Sequence, residues 1–286
     1  MRLLLAAFLL ALPLAGCFGG DGGDGPTTTA PSSSPTGPAP PRPPPGPVRL
    51  PLLLDFDFNG CTGLSVLQPQ PLPDIQSLLP EPFVAAPFTL VEGVAEDRGV
   101  LAVDMFLCAE LATPGTRLPA TYYGQLYTFV ERPAELVPDA PEGAQEYVFR
   151  LLAGEDVLAL VWPAAGYDTH NGSASLSVMG DPAPARAAQA MMGSYQADAA
   201  VVDSPASTLA IETPFARYTR LADGSLLYWN GTYAFPAGWL GLGDYTVPDD
   251  DLFAPFRSPA GNLGGMALVY PGGRMEDNRL VRIIGL

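Results

Sequence analysis

The chain contains no lysine: all 14 of its basic residues are arginines. That absence excludes a lysine Schiff base, a phosphate-loop lysine and a lysine general base. Histidine occurs once, at His170, and cysteine only at Cys17, Cys61 and Cys108. A zinc or copper site built from imidazoles and closely spaced thiols is therefore not expected. No Gly-x-Ser-x-Gly nucleophile elbow is present. Charged residues are only 15% of the chain, and the net charge of -16 reflects missing bases rather than surplus acids. With nothing to neutralise a run of phosphates, nucleic acid is not an expected partner. After the first seventeen residues no apolar run reaches the roughly eighteen that a membrane-spanning helix needs. No sequence pattern calls for a cofactor or a resident metal, and neither is expected.

What is present begins with Arg2 and the apolar run Leu3 to Leu14. Twelve apolar residues are too few to span about 30 Å of hydrocarbon but suit the core of a signal peptide. The run ends in Leu14-Ala15-Gly16-Cys17, which resembles the four-residue lipobox of prokaryotic lipoprotein signals. The resemblance implies diacylglyceryl transfer to the Cys17 thiol, cleavage before Cys17, and anchorage in a membrane outside the cytoplasm. Two acyl chains hold stably where one, at about 0.8 kcal/mol per buried CH2, holds only marginally. An ordinary secretory signal followed by a chance cysteine is the alternative.

From Phe18 to Pro47 the composition turns to Gly/Asp and then to Pro, Thr, Ser and Ala. No apolar residue recurs there at helical or strand spacing, so the segment reads as a solvated tether. Thirty residues of largely polyproline II character reach on the order of 90 Å at most. Asp21 and Asp24 are too few to make a calcium loop, and the Thr27–Thr29 and Ser32–Ser34 runs are suited to O-linked sugar. The expected organisation is thus a signal peptide over 1–16, a lipidated cysteine and tether over 17–47, and one β-rich globular domain over 48–286.

Within that domain the dominant period is two. Phe56 and Phe58 alternate with Asp55, Asp57 and Asn59, and Val103, Met105, Leu107 and Ala109 alternate with Asp104, Phe106, Cys108 and Glu110. Tyr123, Tyr127 and Phe129 share a strand face, and so do Leu227, Trp229, Tyr233 and Phe235 if that strand passes through Gly231. Ala222-Asp223-Gly224-Ser225 reads as a hairpin turn. Helix signals are few: Pro73 to Leu79, the Ala-rich Pro184 to Met192, and Glu155 to Trp162, whose apolar run fits a buried strand equally well. The class is all-β or a β-rich α+β arrangement, in a single curled sheet, a sandwich or a partly closed barrel with a few short helices.

The order of these elements carries a family resemblance. A strand leads through Gly60-Cys61 to a short helix ending Leu79-Pro80-Glu81-Pro82-Phe83; a long strand and then Tyr122-Tyr123-Gly124 to Val130, Glu131, Arg132 and Pro133 follow. This resembles the acetoacetate-decarboxylase-like β-barrel group across most of Leu50 to Leu286. The resemblance implies a barrel fold, but decarboxylases of that group act through a Schiff-base lysine, which this chain lacks. A shared fold would come without that activity.

Several residues are candidates for chemistry. Cys61 and Cys108 suit a disulfide in an oxidising compartment, worth about 4 kcal/mol for a loop of about 48 residues; two buried thiols are the alternative. Asp104 and Glu110 lie on an otherwise apolar strand face; if it lines a cavity, burial would raise their pKa values and make them acid/base or ligand-binding groups, whereas pairing with an arginine such as Arg150 or Arg217 would make them structural. Exposure at strand ends would make them ordinary. Asp168 and His170 share a face in an extended segment, with Ser173 and Ser175 nearby; plain surface polarity is the bland alternative. Asp249-Asp250-Asp251 fits a solvated loop or helix cap better than a calcium site. Asn171 and Asn230 head N-glycosylation sequons but also form Asn-Gly turn sequences. Tyr218, Tyr228, Trp229, Tyr233, Phe235, Trp239 and Tyr245 cluster in the last third, as a ligand cup or simply as β-core. Together these features predict a lipid-anchored extracytoplasmic lipoprotein whose domain binds a small molecule. A hydrolase or lyase without a Schiff base and a cell-envelope interaction module are the alternatives.

Overall fold

The computed structural model describes residues 48–49, 52–89, 96–179, 187–201, 208–256 and 265–285. The expected signal peptide, the expected lipidation site at Cys17 and the expected tether lie outside the described residues. The described chain is dominated by strands. β1 (Val48–Arg49) and β2 (Leu54–Pro71) lead to the short helix α1 (Leu72–Gln76). β3 (Arg98–Thr113), β4 (Thr116–Phe129) and β5 (Ala144–Ala153) follow, then helix α2 (Leu158–Ala165). After the short β6 (Thr169–Asn171) come β7 (Ala174–Met179), β8 (Ala187–Met192) and β9 (Tyr195–Val201). β10 (Thr208–Arg220), β11 (Leu226–Thr246), β12 (Gly265–Tyr270) and β13 (Arg274–Ile284) complete the chain.

These strands form one mixed sheet that curls on itself. Antiparallel pairing runs from β2 through β3 and β4 to β5, a parallel step joins β5 to β10, and β10 pairs with β11. β11 returns to β2 through two strands: its first half pairs with β13, its second half with β12, and both of these pair with β2. The ring is irregular rather than a clean barrel, because β11 also pairs with β9 and so begins the β9–β8–β7 ribbon.

The alternation in the sequence explains two apolar layers. On β3, Val100, Ala102, Phe106 and Cys108 face the inside of the ring with Phe56, Phe58, Trp229 and Phe235. Leu101, Val103 and Met105 face outward and are covered by Ala188, Ala190, Met192 and Tyr195. A strand covered on both faces has little room for polar side chains, so those it does bury are informative. Gly63 leaves space for the Phe106 ring, since a Cβ there would lie only 1.9 Å from it. Cys61 and Cys108 stand directly opposite one another on β2 and β3, are fully buried and are joined as a disulfide.

Two local expectations change. The Ala-rich stretch is a strand over its described part, Ala187–Met192, although alanine is the best helix former. Its inward residues, Ala188, Ala190 and Met192, recur with period two, and pairing to β7 and β9 on either side overrides local propensity. Asn230-Gly231 is not a turn but lies within β11, between β10 and β13, with the pairing shifted at Gly231. Asn230 thus lacks the exposed loop setting of a glycan acceptor, whereas Asn171 is exposed at the end of β6.

Candidate active or binding site

Inside the curled sheet, five neighbouring strands contribute one connected polar row. Asp104 of β3 and Gln125 of β4 are cross-strand partners, and Glu146 of β5 is the parallel partner of Arg217 on β10. The Gln125 amide donates to Asp104 Oδ2 at 3.0 Å and to Glu146 Oε2 at 3.0 Å. Its oxygen accepts the Tyr123 hydroxyl at 2.6 Å, and Tyr127 donates to Asp104 at 3.3 Å. Arg217 Nε donates to Glu146 Oε2 at 2.8 Å; its Nη2 donates to the Tyr233 hydroxyl, which itself donates to Glu146 Oε1 at 2.9 Å. All of these side chains are buried.

Aromatic faces enclose the cation. The Arg217 guanidinium carbon lies 4.1 Å from the centre of the Trp229 ring and 4.3 Å from that of Phe215. Such contacts are stronger at buried sites than at exposed ones, and Arg217 is wholly buried. Arg217 Nη1 nevertheless has no hydrogen-bond acceptor among the described residues, and neither has the indole nitrogen of buried Trp162. The Trp162 ring stacks on Trp229, the same ring that Arg217 covers. Two orphan donors in one aromatic group are uncommon, because a buried donor without a partner costs about 1–3 kcal/mol.

Burial, followed by the nearby Glu146 carboxylate, pushes Asp104 up to about 7. Burial likewise raises the Tyr123, Tyr127 and Tyr233 hydroxyls, which remain donors at neutral pH. Since the folded-state pKa of Asp104 exceeds the unfolded value of about 4, the folded chain binds the extra proton between these two values. Stability from this group is therefore fully present below about pH 4 and is lost as pH rises towards 7. The melting temperature of the wild type is expected to fall more between pH 5 and pH 8 than that of Asp104→Asn. Parallel pH profiles for the two proteins would refute this placement of the proton.

The other candidates fall elsewhere. Glu110 is not in the row: it sits near the far end of β3, where its carboxylate accepts from Asn59 and from exposed Arg117, both at 3.3 Å. Arg150 also lies outside, although plain alternation from Glu146 and Val148 would point it inward. The β4–β5 register shifts between Leu126 and Tyr127, and this bulge reverses the faces after Val148, so that Leu151 and Ala153 become the inner residues. Arg150 donates to Asp168, to Asp251 and to the Tyr195 hydroxyl, each at 2.7 Å. Asp168 is consequently turned to Arg150 rather than serving His170. His170 instead packs edge-on against Tyr195, and burial, then the Arg150 charge, lowers its pKa. Asp251 is the buried member of its acidic run, and its Oδ1 caps the following turn through the Phe253 amide at 2.8 Å. This group ties β5, β9 and the turn after β11 together.

Gln125, Glu146 and Tyr195 were not singled out by sequence, whereas the capping role expected of the Asp249–Asp251 run is filled by Asp251. Glu146 lies near the start of β5, and only its partner on β10, seventy-one residues away, distinguishes it from a strand-end carboxylate. The C-terminal aromatics divide between the layers, with Trp229, Tyr233 and Phe235 inside and Tyr218, Tyr228, Trp239 and Tyr245 outside. The three inside help to fill the ring. Two open clefts, of about 420 and 400 Å³, lie at Ile211–Phe235–Arg274 and at Tyr167–Arg220–Leu252, and neither includes Arg217. Among the described residues no set of three acidic, His or Cys side chains is arranged to hold a metal ion.

No protein-family model matches the chain, and no curated protein sequence matches it. Several solved structures show a partial likeness to it. The enduracididine biosynthesis enzyme MppR with HEPES buffer bound is 14% identical over 79% of this chain and 87% of its own, with a TM-score of 0.46. An acetoacetate decarboxylase-like enzyme from Sphingomonas wittichii RW1 is 11% identical, covering 79% and 92%, with a TM-score of 0.47. An acetoacetate decarboxylase is 11% identical, covering 81% and 89%, with a TM-score of 0.48. Neither the identities nor the TM-scores are high enough to carry a residue or an activity from those proteins to this chain.

Proposed function

We propose that the chain is a lipid-anchored extracytoplasmic protein whose β-rich domain binds a small molecule at the polar row inside the curled sheet. The observation that carries this reading is Arg217: a wholly buried guanidinium, already neutralised by Glu146, that keeps one donor without an acceptor. Because the charge is already compensated, a neutral acceptor suits Nη1 better than a second anion, which would face Glu146. The surrounding rings restrict such a guest to a few heavy atoms unless they move. Lipid attachment rests on the Leu14-Ala15-Gly16-Cys17 box.

The test is the mass of the protein purified from its native host, first under native and then under denaturing conditions. A small additional mass that is lost on denaturation, and is absent from Arg217→Gln, is the expected result. A bare polypeptide mass in both spectra would end the tight-binding reading. One observation favours a second reading, a hydrolase or lyase acting without a Schiff base: Asp104, with its raised pKa, is linked through one amide to the Glu146 carboxylate. For a compound recovered from the native protein, that reading requires turnover to fall in Asp104→Asn and to persist in Glu110→Gln.

A further inference from the structure

Helix α2 lacks the polar face that a surface helix ordinarily presents. Between Val157 and Gly166 no side chain is charged, and the one polar group, the Trp162 indole, is turned inward against Phe56 and Trp229. The outward residues are Leu160, 71% exposed, with Pro163 and Ala164. A helix that is apolar all round is normally covered on every side. α2 is covered on one.

Its position is defined by its contacts. Asp156 accepts from the Tyr122 amide at the start of the inner part of β4, and Gly166 abuts Leu221 and Leu227, at the end of β10 and the start of β11. α2 therefore lies across the end of the ring at which β2 and β11 begin and β13 finishes. Leu52, Leu53 and Ile284 are exposed at this same end, where Leu53 bonds to Leu280 and β1 pairs with the last residues of β13. Four of the nine large exposed apolar side chains among the described residues thus share one end, which is not the scatter of isolated surface residues. The chain also enters the domain here, at Val48, after the roughly thirty residues that follow Cys17.

We infer that this end of the domain rests on a lipid bilayer, with Leu160, Leu52, Leu53 and Ile284 entering its interfacial region. The inference builds on the proposed anchor at Cys17. A tether reaching on the order of 90 Å keeps the domain at high effective concentration near the anchoring bilayer, so weak contact by a few leucines is sufficient. Charge sets the lipid preference. The adjacent Arg282–Asp223 pair is internally neutral, and the chain as a whole carries a net charge of -16, so zwitterionic lipid is favoured over anionic lipid.

The experiment uses the full chain with Cys17→Ser, which cannot be acylated, mixed with phosphatidylcholine vesicles and separated by flotation. The expected result is partial flotation that falls at least tenfold in Leu160→Asp with Leu53→Asp. Flotation should be unchanged in Leu242→Asp, an exposed site near the opposite end of β11, and weaker on vesicles containing phosphatidylglycerol at low salt. All three substituted side chains are exposed, and melting curves will verify that the variants fold. No flotation, or flotation insensitive to Leu160 and Leu53, overturns the inference. So does concentration-dependent dimerisation lost in the same double variant without vesicle binding, which would identify a second copy as the occupant. The mass of Cys17 in wild type recovered from membranes reads the anchor separately. Acylated Cys17 with no flotation of the serine variant overturns only the docking surface, whereas unmodified Cys17 with Leu160-dependent flotation overturns only the anchor.

Discussion

Arg217→Met is expected to lower unfolding stability by about 3–5 kcal/mol, the range found when one partner of a buried ion pair is removed. Methionine fills a similar volume, so the loss will report charge and hydrogen bonding more than packing. Without the guanidinium, Glu146 remains buried with only the Gln125 amide and the Tyr233 hydroxyl to solvate it, and Asp104 adds a second carboxyl group to the same enclosure. The contacts with Trp229 and Phe215 disappear as well, which accounts for about 2 kcal/mol. Urea unfolding of Arg217→Met, Glu146→Gln and the double variant will separate these terms. The double variant is expected to recover a large part of the loss, because it leaves no uncompensated charge. A cost below about 1 kcal/mol for Arg217→Met would be that of an exposed pair, and would mean that water reaches the row.

That dependence explains how much of the site was visible beforehand. The inner face of β3 was legible because Asp104 interrupts a period-two apolar pattern beside Phe106 and Cys108. The inner faces of β4 and β11 were legible from Tyr123 and Tyr127 and from Leu227, Trp229, Tyr233 and Phe235. Gln125 sits between those tyrosines and was passed over because a neutral amide disturbs the pattern little. Glu146 lies near the start of its strand, where carboxylates are ordinarily solvated. Its burial follows from the parallel pairing of β5 with β10, in which Glu146 meets Arg217. No local pattern encodes which of several strands will be parallel neighbours.

Arg150 shows the complementary failure. Counting by twos from Glu146 makes Arg150 an inner residue, yet one extra residue at the β4–β5 bulge turns it outward to Asp168, Asp251 and Tyr195. A single bulge exchanges the two faces of everything beyond it, so alternation is reliable only up to the first irregularity. The Ala187–Met192 strand departs for another reason. Alanine favours a helix but is small enough for a crowded sheet face, and here it allows the β7–β9 ribbon to lie close against the outer residues of β3. Its helix propensity is a preference of a few tenths of a kcal/mol per residue, which two flanking ladders easily exceed.

Reduction of Cys61–Cys108 is the second substitution-scale change expected to be large. The bond closes a loop of about 48 residues, for which chain entropy gives about 4 kcal/mol. For a domain of this size each kcal/mol shifts the melting temperature by roughly 2–4 °C, so the reduced chain should melt roughly 8–16 °C lower. The folded state itself needs the bridge little. Cys61 and Cys108 already face one another in a β2–β3 ladder that continues from Asp57–Ala112 to Pro71–Arg98, and that ladder holds Ser65 opposite Asp104. The effect should therefore arise in the unfolded chain, where the bridge confines α1 and most of β2 and β3 to one closed loop. Reduction leaves both sulfurs in the core, whereas Cys61→Ala with Cys108→Ala also removes two fully buried sulfur atoms. The double alanine variant should consequently melt lower than the reduced protein by the cost of that lost packing. Calorimetry of the Cys17→Ser chain, oxidised and reduced, with thiols counted after denaturation, will measure both steps. If reduction releases two thiols yet leaves the melting temperature unchanged, the unfolded β2–β3 segment must already be compact enough that closing its loop costs little entropy.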